Sequence, residues 1–187
     1  KSCTEKSLSN CRGGGEGIYL DERTSQRVVE NNTVINASKG IFLHWTTNNE
    51  IRHNTLYGNK NSQIWFSGKD QPRYRLQNNL LLDNILYATE ANQRTFTLAV
   101  TYNDLNFGYS DRNYFFNSYN NRNIYLLPIS YLALDEWQVK SGFDKQSKDI
   151  SSLRDSNPDF SETQIVINPS MEQKDINFHH KSYCDVS

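Results

Sequence analysis

No apolar run in this 187-residue chain approaches the roughly 20 residues that a helix needs to cross a bilayer. Charge of one sign is missing too: 20 Lys and Arg against 21 Asp and Glu leave a net charge of -1. A phosphate backbone or an anionic membrane surface is met by clustered Lys and Arg. Neither a membrane span nor a nucleic-acid partner is therefore expected. The opening Lys1-Ser2-Cys3 has neither an initiator Met nor a signal-peptide core, so the expectation is a mature or excised piece of a longer parent chain.

Cysteine is scarce, with Cys3, Cys11 and Cys184 alone. A structural metal site needs a second Cys or His pair at suitable spacing, and His179-His180 are adjacent and distant. No metal site is expected. Cys3 and Cys11 lie close enough to close a short loop as a disulfide, which favours export, secreted or periplasmic.

A mean hydropathy of -0.77 does not mean disorder here, because 12% aromatic residues are enough to build a core. The low value comes largely from 23 asparagines, many of them paired, as in Asn31-Asn32, Asn48-Asn49, Asn78-Asn79 and Asn120-Asn121. Asn tolerates left-handed backbone and bonds its own turn. So many imply tight turns at regular intervals in a β protein.

Self-similarity decides the architecture. Gly17-Ile18-Tyr19-Leu20-Asp21, Gly40-Ile41-Phe42-Leu43-His44 and Gln63-Ile64-Trp65-Phe66-Ser67 follow one another at a spacing of 23. Between them runs a second repeated string, Val28 to Asn36, Glu50 to Asn59 and Tyr74 to Asn84, each with an Asn midway. Short strands joined by Asn turns at this period suit a parallel β-helix, in which no coil buries its apolar face alone. The leucine-rich repeat is the rival at this period, but its leucine and asparagine framework is absent. After residue 84 the period loosens. Thr95 to Val100 and Asn123 to Leu127 read as further rungs, with longer excursions between them that can wall a groove. Leu132 to Lys140 reads as a short helix stopped at Ser141-Gly142, and 164–167 and 176–179 as strands. The expected organisation is residues 1–130 as coils, opened by a cysteine loop at 1–16, and 131–187 as a β/loop tail whose helix packs on them.

Alternation along each strand sorts the side chains. Ile18, Ile41 and Ile64 form one inward column, and Leu20, Leu43 and Phe66 another. Tyr19, Phe42 and Trp65 form an outward aromatic column beside Asp21, His44 and Ser67. Such rings can serve sugar stacking or simple packing under a loop. Trp45 and Arg52 join them as candidate substrate contacts, whereas Trp137 reads as a packing anchor. Neighbouring rungs sit about 4.8 Å apart, near the roughly 5 Å separation of the two carboxyl groups in a retaining glycosidase. Asp21 and His44 are so placed, but one of them is an imidazole, so carboxylate-pair catalysis needs a second acid from Glu22, Glu16 or a residue of another chain segment. Asp21 can equally cap the turn after its strand.

The strings Gly17 to Glu22, Val29 to Asn32 and Gly40 to His44 resemble the right-handed, pectate-lyase-like β-helix repeats of bacterial carbohydrate-active enzymes. Leu134 to Gln138, Gly142 to Asp144 and Ser156 to Phe160 look like the segment that ends their helix, so the resemblance spans most of the chain. The Gly-Ile-Tyr-Leu-Asp string is similar to glycoside hydrolases related to β-xylosidases. That resemblance implies Asp21 as nucleophile and places His44 where the relatives carry the acid Glu. The expected function is hydrolysis of a plant, algal or bacterial polysaccharide or its oligosaccharides, without a cofactor. A polysaccharide lyase is the first alternative, with His44 or Tyr19 as base or acid and Arg23, Arg52, Arg73 or Arg75 neutralising a uronate. Ca²⁺ would then be the implied ion, although no acidic cluster announces it. A glycan-binding segment of an adhesin or tailspike is the second.

Overall fold

The computed structural model describes residues 15–68, 75–100, 105–128 and 130–151. The chain divides into two compact units, 1–157 and 158–187, and all described residues lie in the first. The cysteine pair Cys3 and Cys11, and the strands expected at 164–167 and 176–179, lie outside the described residues.

Successive coils contribute one strand to each of three sheets. The first coil holds β1 (Ile18–Leu20), β2 (Val28–Glu30) and β3 (Thr33–Ile35); the second holds β4 (Lys39–His44), β5 (Glu50–Arg52) and β6 (Thr55–Tyr57). The third holds β7 (Ser62–Gly68), β8 (Asn79–Leu82) and β9 (Ile85–Ala88); the fourth holds β10 (Arg94–Val100), β11 (Gly108–Asp111) and β12 (Tyr114–Asn117). After β13 (Ile124–Leu126) come β14 (Ser130–Leu132), helix α1 (Leu134–Ser141) and β15 (Lys148–Asp149). The first sheet runs β1-β4-β7-β10-β13-β14, the second β11-β8-β5-β2, and the third β15-β12-β9-β6-β3. Every pairing is parallel except β13 with β14, which is antiparallel. This is a parallel β-helix.

The register of the first sheet is the one the repeat predicts: Ile18 opposite Ile41 and Ile41 opposite Ile64, with Leu20, Leu43 and Phe66 in step. Ile41, Leu43, Ile64 and Phe66 are fully buried. Gly17 and Gly40 start their strands where adjacent coils nearly touch. A Cβ on Gly40 would lie 2.4 Å from the Gln63 carbonyl oxygen, and one on Gly17 would lie 2.5 Å from that of Gly40.

The asparagine pairs divide their labour at the corners. In three of the pairs the first member takes the left-handed conformation, with φ of 56° at Asn31, 57° at Asn48 and 55° at Asn78. The second turns inward and joins a ladder. Asn54 Oδ1 accepts the Asn32 N–H at 3.1 Å, Asn84 Oδ1 the Asn54 N–H at 3.0 Å, and Asn113 Oδ1 the Asn84 N–H at 2.9 Å. Asn54, Asn84 and Asn113 are buried and satisfied, as a polar interior demands. At the last of the described coils a serine replaces the amide, with the Asn113 N–H donating to Ser147 Oγ and the Asn117 N–H to Ser151 Oγ.

Helix α1 begins where the Ala133 N–H donates to Glu136 at 2.8 Å, and ends at Gly142 with φ 77°. Its Trp137 is fully buried against Phe96 and Phe107, and the indole N–H donates to the buried Asp144 carboxylate at 2.7 Å. Trp137 is thus the packing anchor expected of it.

Candidate functional site

The outward face of the first sheet carries most of the residues singled out from the sequence. Asp21 follows β1, and its Oδ1 is the point of convergence. The Tyr19 hydroxyl donates to it at 2.7 Å, the Glu22 N–H donates at 2.8 Å, and His44 Nδ1 lies 3.3 Å away. His44 Nδ1 is also 3.3 Å from the Tyr19 oxygen. The turn-capping reading of Asp21 holds through Glu22, and the rung-to-rung reading holds through His44. Donation by Tyr19, first, and by Glu22 holds the Asp21 carboxyl below the usual range, with a smaller contribution from His44. Partial burial and then the same carboxylate push the Tyr19 phenol up to about 12.

Asp21 touches His44, so no water or sugar oxygen fits between them. One ligand atom each of Asp21, Glu22 and His44 lies within 4.8 Å of the others. The Asp21 and Glu22 carboxyl groups therefore come no farther apart there than the roughly 5–5.5 Å of a retaining pair, well short of the separation for inversion. These three side chains, which the sequence reading assigned to catalysis and not to a metal, are also near enough to share a cation. Two carboxylates and an imidazole do not fit Ca²⁺, which takes six to eight oxygen ligands. Glu16 is occupied elsewhere, paired with Lys39 at 2.6 Å.

The aromatic column is present, but its geometry differs from an open platform. Tyr19 and Phe42 stack on each other at 4.8 Å and 3°, so those two rings present edges to solvent. Trp65 breaks the stack, turned 77° from Phe42. Cations enter at the break: Lys39 Nζ sits 4.3 Å from the Phe42 ring centre and 4.9 Å from that of Trp65. Trp45, at φ 51°, lays its ring against His44 at 4.3 Å and so joins the Asp21–His44 cluster.

Arg52 does not belong to this site. It lies on β5 of the second sheet, where Glu30 at 2.7 Å and Glu50 at 3.1 Å hold its guanidinium. Parity places a side chain outward, but only the coil geometry says on which of the three faces, and the corner between β4 and β5 carries Arg52 to another one.

Two groups escaped the sequence reading. Arg94, at the start of β10, has its guanidinium 5.8 Å from the Trp65 ring, 4.3 Å from Tyr125 and 5.5 Å from Tyr131. It extends the same face by the opposition of Trp65, Thr97 and Tyr125. On the third sheet Tyr57, Tyr87 and Phe116 form a second stack, at 5.0 and 4.0 Å. Aligning Leu56-Tyr57 with Leu86-Tyr87 and Phe115-Phe116 would have exposed it.

Residues 5–81 match the family model of the right-handed β-helix region. With the parallel sheets, that match makes the fold an all-β, right-handed parallel β-helix, with one short helix among the described residues. Neither curated proteins nor solved structures supply a match to the chain. A right-handed β-helix is compatible with carbohydrate-active and with adhesin-like proteins. No helix among the described residues is long and apolar enough to cross a membrane.

Proposed function

We propose that this β-helix is an exported, glycan-active protein, and that its chemistry is glycoside hydrolysis with retention at the outward face of the first sheet. The observation that supports this is the meeting of Tyr19, Asp21, Glu22 and His44 at one strand end. A nucleophilic carboxylate must be ionised, and the donors around Oδ1 favour that state in Asp21. Glu22, in the same cluster within 4.8 Å, supports the reading as the second carboxyl group that would protonate a leaving oxygen. With Nδ1 turned to Asp21, His44 keeps Nε2 for the same proton or for a sugar hydroxyl.

The test is a screen of polysaccharides and oligosaccharides with products read by mass and by ultraviolet absorbance. Hydrolysis gives a new reducing end; elimination gives an absorbing unsaturated sugar and would move the chemistry to a lyase. On any glycan the chain cleaves, Asp21→Asn is expected to lower turnover by roughly 10³-fold or more. Unchanged turnover in the folded variant removes the nucleophile.

One observation favours a second reading. The Asp21 side chain is 61% exposed, and a carboxylate in water gains little of the low-dielectric stabilisation on which electrostatic catalysis depends. Binding of glycans with no product of either kind would assign the face to recognition alone.

A further inference from the structure

Beside the later part of the same face lies a cavity of about 270 Å³ that the reading above leaves unused. Its lining includes Asn92, Arg94, Asn120, Arg122 and Tyr131, drawn from the excursions that precede β10 and β13, from the start of β10 and from β14. The two guanidiniums differ. Arg122 pairs with Glu136 at 2.7 Å and donates to the Tyr131 carbonyl oxygen at 3.1 Å. Arg94 donates to the Tyr131 hydroxyl at 3.0 Å and is flanked by the rings of Trp65, Tyr125 and Tyr131. Among the described residues no carboxylate lies within ion-pair reach of it. The other cation on this aromatic face, Lys39, is neutralised by Glu16.

A guanidinium held by aromatic rings has its planar fork ordered before a ligand arrives, and that fork matches two oxygens of one oxyanion. The amide side chains around it suit hydroxyl groups. We infer that this cavity is an anion subsite in which Arg94 receives the oxyanion of an acidic glycan, a carboxylate or a sulfate ester. The inference rests on the glycan-active reading and narrows its substrate class. It requires neither catalysis nor Asp21, so a chain that only binds glycans is included.

The experiment is calorimetric titration of the whole chain with three oligosaccharides of equal length: uncharged, uronate-bearing and sulfated. One of the acidic ligands is expected to bind about tenfold more tightly than the uncharged one, with a preference that shrinks as salt rises. The tighter of the two identifies the oxyanion. Arg94→Gln should abolish the preference while leaving the affinity for the uncharged ligand within about twofold. Arg94→Lys, which keeps the charge and loses the fork, should retain part of the preference, and it carries the test if the glutamine variant does not fold. Equal affinity for charged and uncharged ligands, or a preference untouched in both variants, overturns the subsite and leaves the glycan-active reading standing. No binding or cleavage of any glycan overturns both.

Discussion

Two aromatic columns climb this β-helix on different faces, and they are built to different ends. On the third sheet Tyr57, Tyr87 and Phe116 stack without interruption, and the neighbouring Ala88, Thr89, Ser118 and Tyr119 that line a cavity of about 280 Å³ with them bear no charge. On the first sheet the stack of Tyr19 and Phe42 stops at Trp65, and charge gathers around it: Lys39 and Arg94 over the rings, Asp21 and His44 at the strand ends. Ring on ring is a packing solution, worth about 0.5–1.5 kcal/mol a pair beyond the area it buries. A column opened to admit cations gives up part of that for polar groups that can meet a ligand. Aromatic content alone does not distinguish the two; the company the rings keep does.

The largest effect is expected from removing what both columns stand on. Asn84 accepts from the Asn54 N–H and side chain and donates to Ile51, Leu82 and Asn113, so Asn84→Ala strands several buried groups at once. Denaturant unfolding should show a loss of about 3 kcal/mol or more. A loss under about 0.5 kcal/mol, usual for a surface site, would mean that the ladder is no support. Next, the columns should separate when each loses one ring. Tyr87→Ala is expected to cost about 2 kcal/mol of stability and leave glycan binding alone. Trp65→Ala should cost about 1 kcal/mol and weaken binding. Exchange of those two patterns would exchange the roles assigned to the faces.

The smallest effect is electrostatic and confined to the first column. Tyr19 prefers its neutral form when folded, so its contribution to stability is complete below the ordinary tyrosine value of 10.0 and is lost as pH rises towards about 12. Asp21 works the other way. Its lowered value means a contribution present above the unfolded pKa of 3.8 and lost as pH falls through the folded one. Carbon NMR of the Tyr19 ring should follow the first titration. Asp21→Asn should bring the Tyr19 midpoint down only part of the way to 10.0, since burial, the larger cause, stays in place. A midpoint unmoved by the substitution would show that the carboxylate is not its partner.

What could be read in advance follows from how strictly each feature repeats. Ile18, Ile41 and Ile64 share one spacing, so inward and outward columns of the first three coils were legible, together with the approach of Asp21 to His44. Beyond them the coils lengthen: the ladder steps of 22, 30, 29 and 34 residues from Asn32 to Ser147 defeat any fixed register. Arg94 and Tyr125 vanished into that drift. The asparagine count pointed to turns but missed half of each corner's logic. At His53, Asp83, Arg112 and Asp144 the left-handed residue is not asparagine at all, with φ from 52° to 56°, and in the first three of these corners the inward Asn behind it carries the signal. The place of Arg52 on the second sheet was not legible, because alternation has two states and this cross-section has three sides.

The serines that end the ladders bear on a different question, how long such a coil stack grows. An amide ladder is a polymer of identical steps, each rung presenting to the next what the previous one presented to it, and nothing in the step itself sets a number. At Ser147 the repeating group changes. Its hydroxyl reaches back to Asp144, a carboxylate already claimed by Asn113 and by the Trp137 indole, so the hydrogen-bond chain folds into a closed ring. Among the described residues, the asparagine step gives way at this ring of Asn113, Asp144 and Ser147. Moving that set one coil earlier or later would shift the place where the amide ladder changes character without redesigning its repeat.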